Sequence, residues 1–124
     1  VGYEVEVFSP KGGRCEADSM SDPNDASGYS STDLISQGFI HTPELKTLVD
    51  NTKRVAEIDV ARFDAIVVAG GQAPMFTFEE ATDLHDKFAE FHAAGKVVAA
   101  LCHGVAILAY VKNAQGESLA KGRT

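Results

Sequence analysis

The feature that most constrains this chain is the run from Val97 to Leu108, apolar except where Cys102, His103 and Gly104 interrupt it. Ahead of the break, Val97, Val98, Ala99, Ala100 and Leu101 read as a buried strand; behind it, the segment from about His103 to Asn113 reads as a helix. A sharp strand-to-helix turn must join them, with Cys102 at its corner. Ala100, Cys102 and Gly104 set a small residue on each side of a potential nucleophile. This is the steric recipe of the Gly-x-Ser-x-Gly elbow, in which small neighbours let the backbone fold tightly and leave the nucleophile exposed.

A second continuous apolar run, Ala65 to Ala69, ends at Gly70-Gly71. Runs of this kind suit strands covered on both sides, as in a parallel sheet. Between the two runs, Thr77-Phe78-Glu79-Glu80 reads as a capping box. Leu84, Phe88 and Phe91 follow at helical spacing, and Gly95 closes the helix. Upstream, Tyr3 to Phe8 alternates like a half-buried strand, and Ser9 to about Gln37 is a long loop rich in Ser, Asp, Gly and Asn. Thr42-Pro43-Glu44 reads as a helix start with the Thr42 hydroxyl as cap, and Asp59 to Asp64 as a helical turn. Strand, helix, strand, helix with short joints predicts the α/β class, a parallel sheet with helices on both faces.

A length of 124 residues with 44% hydrophobic residues suits one α/β domain over residues 1–124. The chain opens at Val1 and closes at Thr124 in what read as unfinished elements, so it is expected to be an internal fragment of a longer domain. A formal net charge of −7 argues against nucleic acid and anionic membrane as partners, since neither attracts an acidic protein. No apolar run approaches the roughly 20 residues of a membrane-spanning helix. A soluble, cytoplasmic protein is expected, with a homodimer as the default oligomer. Cys15 lies in polar surroundings and Cys102 at the end of an apolar strand, which is no disulfide framework and fits a reducing compartment.

Cys102 is the first candidate for chemistry, because unpaired amides and the dipole at a helix N-terminus favour a thiolate, the reactive form of cysteine. Against this stands the ordinary role of cysteine as a small core residue, but a histidine next to it suits an apolar corner poorly. His103 has two open roles. It could activate Cys102, although residues at i and i+1 of a helix do not face each other; or it could supply mainly its backbone N–H to a developing oxyanion while its ring is held by an acid outside this sequence. Gly70, Gly71 and Gln72 follow the other covered strand, where ligands bind in parallel sheets. The amides of that glycine pair could form the second half of an oxyanion hole, but their spacing is no dinucleotide fingerprint. His41, His85 and His92 read as surface or helix-face residues without metal-ligand spacing, Asp22, Asn24 and Asp25 fail as a calcium loop, and Cys15 reads as an incidental exposed thiol, so no metal is expected.

Three motifs carry a resemblance: Gly2-Tyr3-Glu4-Val5 with Ser9-Pro10-Lys11-Gly12-Gly13, then Asp64 to Gly71, then Ala99-Ala100-Leu101-Cys102-His103-Gly104. In this order they resemble the ThiJ/PfpI superfamily, relatives of the class I glutamine amidotransferases, and within it the branch of heat-shock chaperones and glyoxalase III enzymes. The resemblance implies a flavodoxin-like or amidotransferase-like sandwich, incomplete in this chain. It implies Cys102 as nucleophile, His103 as its triad neighbour, and oxyanion contacts from the amides of Gly71 and His103. The implied reaction is the conversion of methylglyoxal, a small carbonyl substrate, to lactate without a cofactor, or a related deglycase activity. Alternatives in the superfamily are a stress chaperone or thiol redox sensor, and an isonitrile hydratase-like, peptidase-like or amidotransferase-like hydrolase. This chain has Gln72 where the glyoxalase branch often has a histidine, which bears on specificity. The resemblance also implies a glutamate beside the cysteine from an earlier strand and a triad acid from later ones, neither within this sequence.

Overall fold

The computed structural model describes residues 2–122. Val1, Arg123 and Thr124, on which the expectation of unfinished ends partly rests, lie outside the described residues. The chain divides into two compact units, Val1–Val55 and Ala56–Thr124.

In the first unit, β1 (Phe8–Ser9) pairs in parallel with β2 (Lys53–Arg54), Phe8 opposite Lys53 and Ser9 opposite Arg54. The strand expected over Tyr3 to Phe8 is thus reduced to its end. A strand is held by its ladder, β2 offers only two residues, and Tyr3 and Val5 remain exposed. The polar loop is a chain of turns: Asp18, Asp22 and Asp25 each accept, on the side chain, the backbone N–H two residues on, from Met20, Asn24 and Ser27 at 2.9–3.0 Å. These acids therefore shape the loop locally. It ends sooner than expected, at α1 (Leu34–Ile40), whose cap Asp33 accepts from Ser36 N at 2.8 Å and Ser36 Oγ at 2.6 Å. Next comes α2 (Pro43–Asp50), with Pro43 in its first turn as predicted. Thr42 does not cap it through the hydroxyl, which donates instead to the Gly38 carbonyl at 2.6 Å because α1 ends directly before.

In the second unit, β3 (Ala65–Val68) and β4 (Val97–Ala100) pair in parallel along their full length, Ala65 opposite Val97 and Val68 opposite Ala100. Both apolar runs are strands, as their composition predicted. They are less covered than expected: Val67 is 60% and Val97 64% exposed, because the described sheet ends at this pair. The crossover is α4 (Thr82–Ala93), packed on both strands and burying Leu84, Phe88 and Phe91. The capping box fails. Pro74 starts a short helix α3 (Pro74–Thr77), so the Thr77 hydroxyl falls at its end and donates to the Ala73 carbonyl at 2.9 Å. Lys96, at the entrance to β4, donates its ammonium to the carbonyls of Val60 at 2.6 Å and Phe63. It thereby ties the 3-10 turn Val60–Arg62, the predicted helical turn, to the sheet. Ile107 and Val111 are fully buried beside this layer. No described helix is long and apolar enough to cross a membrane.

Candidate active site

The site candidates lie where β3 and β4 end. The last paired residues are Val68 and Ala100, and the ladder continues one step as Leu101 donates its N–H to the Val68 carbonyl at 3.0 Å. The chain then turns, and the turn is strained: Cys102 has φ +50°, the one non-glycine residue with positive φ among those described. A side chain there costs on the order of 1–2 kcal/mol relative to the right-handed conformation. Cys102 is also exposed. The corner inferred from small-x-nucleophile-x-Gly is present, with the thiol on the open side.

Two glycines permit this turn for a packing reason. A Cβ on Gly104 would lie 2.6 Å from the Val68 carbonyl oxygen and 2.7 Å from that of Ala69. A Cβ on Gly70 would lie 2.7 Å from Cys102 Cβ and 2.8 Å from the Leu101 carbonyl oxygen. Each strand end presses its backbone against a glycine of the other, and neither contact leaves room for a methyl group. The role of Gly104 was legible in the elbow pattern. That of Gly70 as spacer for the cysteine was not, because it depends on the register of β3 against β4.

The segment after the corner departs from expectation. Cys102–Ala109 is a 3-10 helix, not the start of an α-helix running to Asn113. Gly104 N–H bonds the Leu101 carbonyl at 2.8 Å, an i to i−3 closure that holds Gly104 against the Val68 and Ala69 carbonyls. Close packing at the corner winds the chain tighter than α-helical geometry.

His103 is exposed, and its ring Nδ1 lies 2.9 Å from the Gly71 carbonyl oxygen. Among the described residues Cys102 Sγ has no hydrogen-bond partner. Gly71 has φ +89°, which turns its carbonyl at the strand end, and the Gln72 carbonyl accepts from Met75 N at 3.1 Å as the chain enters α3. Gln72 itself is exposed. Thus Gly70, Gly71, Cys102 and His103 are brought together, and Gln72 adjoins them in sequence.

The other candidates lie elsewhere. Cys15 is half-buried rather than exposed, its Sγ 3.9 Å from the Thr52 hydroxyl, which joins Ser9 Oγ at 2.7 Å. Both cysteines are free. His85, read as a helix-face residue, stacks on Tyr110 with ring centroids 5.4 Å apart and bonds the Phe78 carbonyl through Nε2 at 2.5 Å. His41 bonds the Gln37 carbonyl through Nδ1 at 2.8 Å. Among the described residues no group of three His, Cys, Asp or Glu side chains could hold a metal ion.

Comparison with known proteins agrees with this architecture. The chain is 37% identical to a probable glutathione-independent glyoxalase of Schizosaccharomyces pombe, hsp3104, in an alignment covering 61% of this chain and 34% of that protein. It is 30% identical to the glutathione-independent glyoxalase hsp3101 of the same organism, covering 98% of this chain and 50% of that one. It therefore spans between a third and a half of the length of these relatives. The solved structure of the Rapid Encystment Protein 24 kDa of Francisella tularensis superposes with a TM-score of 0.77 at 27% identity, covering 92% of this chain and 48% of that one. The fold is accordingly α/β, of the flavodoxin-like kind. The DJ-1/PfpI family profile matches residues 30–122, and by that match, together with the strand-end elbow, the chain belongs to the DJ-1/PfpI family.

Proposed function

We propose that the protein is a cysteine-dependent enzyme acting on small reactive carbonyls, converting methylglyoxal to lactate in the manner of a glutathione-independent glyoxalase. The observation that carries the reading is Cys102, exposed and held at φ +50° on a corner that Gly70 and Gly104 keep free of side chains. Strained backbone conformations concentrate at functional sites. The names of the relatives, glutathione-independent glyoxalases, suggest the substrate class.

In this reading the Cys102 sulfur adds to the aldehyde carbon, forming a C–S bond while the carbonyl oxygen takes a proton, to give a hemithioacetal. The N–H groups of Gly71 and His103 face the oxygen as its charge develops. A base then removes the hydrogen from the former aldehyde carbon, and a proton is returned to the neighbouring carbon, which leaves a thioester of lactate. Water attacks the thioester, the C–S bond breaks, and lactate departs as the thiol is restored. The sum is methylglyoxal plus water to lactate, with no external oxidant or reductant. Gln72 adjoins the site where it can contact the substrate. The reading places a homodimer in the cytoplasm.

The test is lactate formation from methylglyoxal without glutathione, in the full chain and in Cys102→Ala. Loss of turnover to the uncatalysed background is expected, and retained turnover would remove Cys102 as nucleophile. A chain that adds oxygen at Cys102 under mild peroxide, yet never turns over the carbonyl, would favour a thiol sensor instead.

A further inference from the structure

We propose that His85 is a positioning residue for the candidate site: its imidazole joins the far ends of the two short helices whose near ends carry the elbow, and so holds Cys102 at its strained corner. The proposal rests on the reading of Cys102 as the reacting thiol and adds what keeps that thiol in place.

Each strand runs into a short helix. From the end of β3 the chain passes Gly70, Gly71 and Gln72 into α3, where the carbonyls of Gln72, Ala73 and Pro74 accept from the N–H groups of Met75, Phe76 and Phe78 at 3.1, 2.9 and 3.3 Å. From the end of β4 it passes Leu101 into the 3-10 helix, which is closed at its start by Gly104 N–H on the Leu101 carbonyl and at its end by Tyr110 N–H on the Ile107 carbonyl at 3.0 Å. The two helices pack against each other, with the site at their near ends.

Their far ends meet at His85. Phe78 is the residue that caps α3, and Tyr110 caps the 3-10 helix. From the first turn of α4, the imidazole bonds the Phe78 carbonyl through Nε2 at 2.5 Å. A carbonyl only accepts, so Nε2 carries the hydrogen. The same ring lies on that of Tyr110, centroids 5.4 Å apart and planes 6° from parallel, the offset stack that aromatic pairs favour. One imidazole thus holds α3 by its edge and the 3-10 helix by its face. Because α4 packs on β3 and β4, both helices are referred to the sheet from which they start.

The corner needs this support. At φ +50° Cys102 occupies a conformation that a residue with a side chain leaves for the right-handed one unless its surroundings over-determine it. Gly70 and Gly104 leave room for the corner but do not enforce it. Fixing the end of the 3-10 helix at Tyr110 fixes where the helix begins. A change of φ at Cys102 would swing its Cβ, and the thiol with it, off the open side. Replacing His85 does not orphan the Phe78 carbonyl, which keeps the Ala81 N–H at 3.2 Å, so the effect falls on the corner before it falls on the fold.

The test is the alkylation rate of Cys102 by iodoacetamide in the folded full chain, read by peptide mass spectrometry against Cys15 as the reference thiol in the other unit. His85→Ala is expected to lower the Cys102 to Cys15 rate ratio by about fivefold, the factor that the loss of one hydrogen bond supplies. An unchanged or raised ratio overturns the proposal. Tyr110→Ala should lower the ratio in the same way, whereas Tyr110→Phe, which keeps the ring, should retain the parental value; an equal fall in both overturns the stack as the link. This pair also decides the matter should His85→Ala fail to fold. Lys96→Met loosens the second unit at the opposite end of β4 and should leave the ratio unchanged. An equal fall there would mean that any destabilisation moves the thiol, and would overturn a positioning role. No methylglyoxal enters the assay, so its outcome is separable from that of turnover in Cys102→Ala.

Discussion

Gly104→Ala is the sharpest test of the corner, because the added methyl has nowhere to go. Its Cβ would sit 2.6 Å from the Val68 carbonyl oxygen, 2.7 Å from that of Ala69 and 3.0 Å from the Ala69 carbonyl carbon, all backbone atoms of the preceding strand end. Ordinary contact begins near 3.4 Å, so the Val68 oxygen must retreat by about 0.8 Å. That oxygen accepts the 3.0 Å bond from Leu101 N–H, the last rung of the ladder, and retreat along the bond would stretch it beyond hydrogen-bonding range. Overpacking of this kind costs about 1–3 kcal/mol and the lost rung about 1 kcal/mol more, together about 2–4 kcal/mol. Urea titration of the full chain followed by far-ultraviolet circular dichroism should show a lowered midpoint with unchanged slope. Gly38→Ala is the control: its Cβ meets nothing within 4 Å inside α1, so the variant should gain about 0.5–1 kcal/mol from helix propensity. If Gly104→Ala lies within about 0.5 kcal/mol of the parent, the strand ends do not pack as described and the case for an elbow at Cys102 falls with them.

Three further outcomes follow from particular contacts. At φ +50° Cys102→Gly should be more stable than Cys102→Ala by about 0.5–1 kcal/mol, the reverse of their order in ordinary strand or helix positions; equal denaturation midpoints would refute the strain. Lys96→Met removes a charged donor to the Val60 and Phe63 carbonyls and should destabilise the second unit by about 1–3 kcal/mol, read as faster amide exchange over Val60–Arg62. The Ser36 hydroxyl, followed by the Ser36 N–H, holds the Asp33 carboxyl below the usual aspartate range. With the folded value depressed, the cap contributes stability above the unfolded value and loses it as pH falls through the folded one. A carbon-detected titration should place Asp33 below a reference aspartate and return it upward in Ser36→Ala; an unchanged midpoint would remove the hydroxyl as cause.

The readings that held share a local physical basis. The apolar runs at Ala65 and Val97 are strands because small and β-branched side chains in unbroken series suit a buried pleated surface. The periodicity of Leu84, Phe88 and Phe91 marks a helix face for the same kind of reason. The readings that failed concern where hydroxyls and short elements find partners. Thr42 and Thr77 have the right residue types for helix starts, but Thr42 directly follows the end of α1 and Thr77 is the last residue of α3, and each hydroxyl donates back to the carbonyl four residues earlier. Tyr3 to Val7 alternates like a strand and lacks the ladder that would make it one.

By itself the sequence determined the α/β class, the two central strands, the helix between them and Cys102 at the bend, all written in side-chain size and period within short windows. Only the tertiary structure decided that the segment after Cys102 winds as a 3-10 helix, that Gly70 makes room for the cysteine, and that the His103 ring turns to Gly71. Those three depend on the parallel register that brings residues some thirty positions apart within bonding distance, a through-space relation that no local pattern encodes.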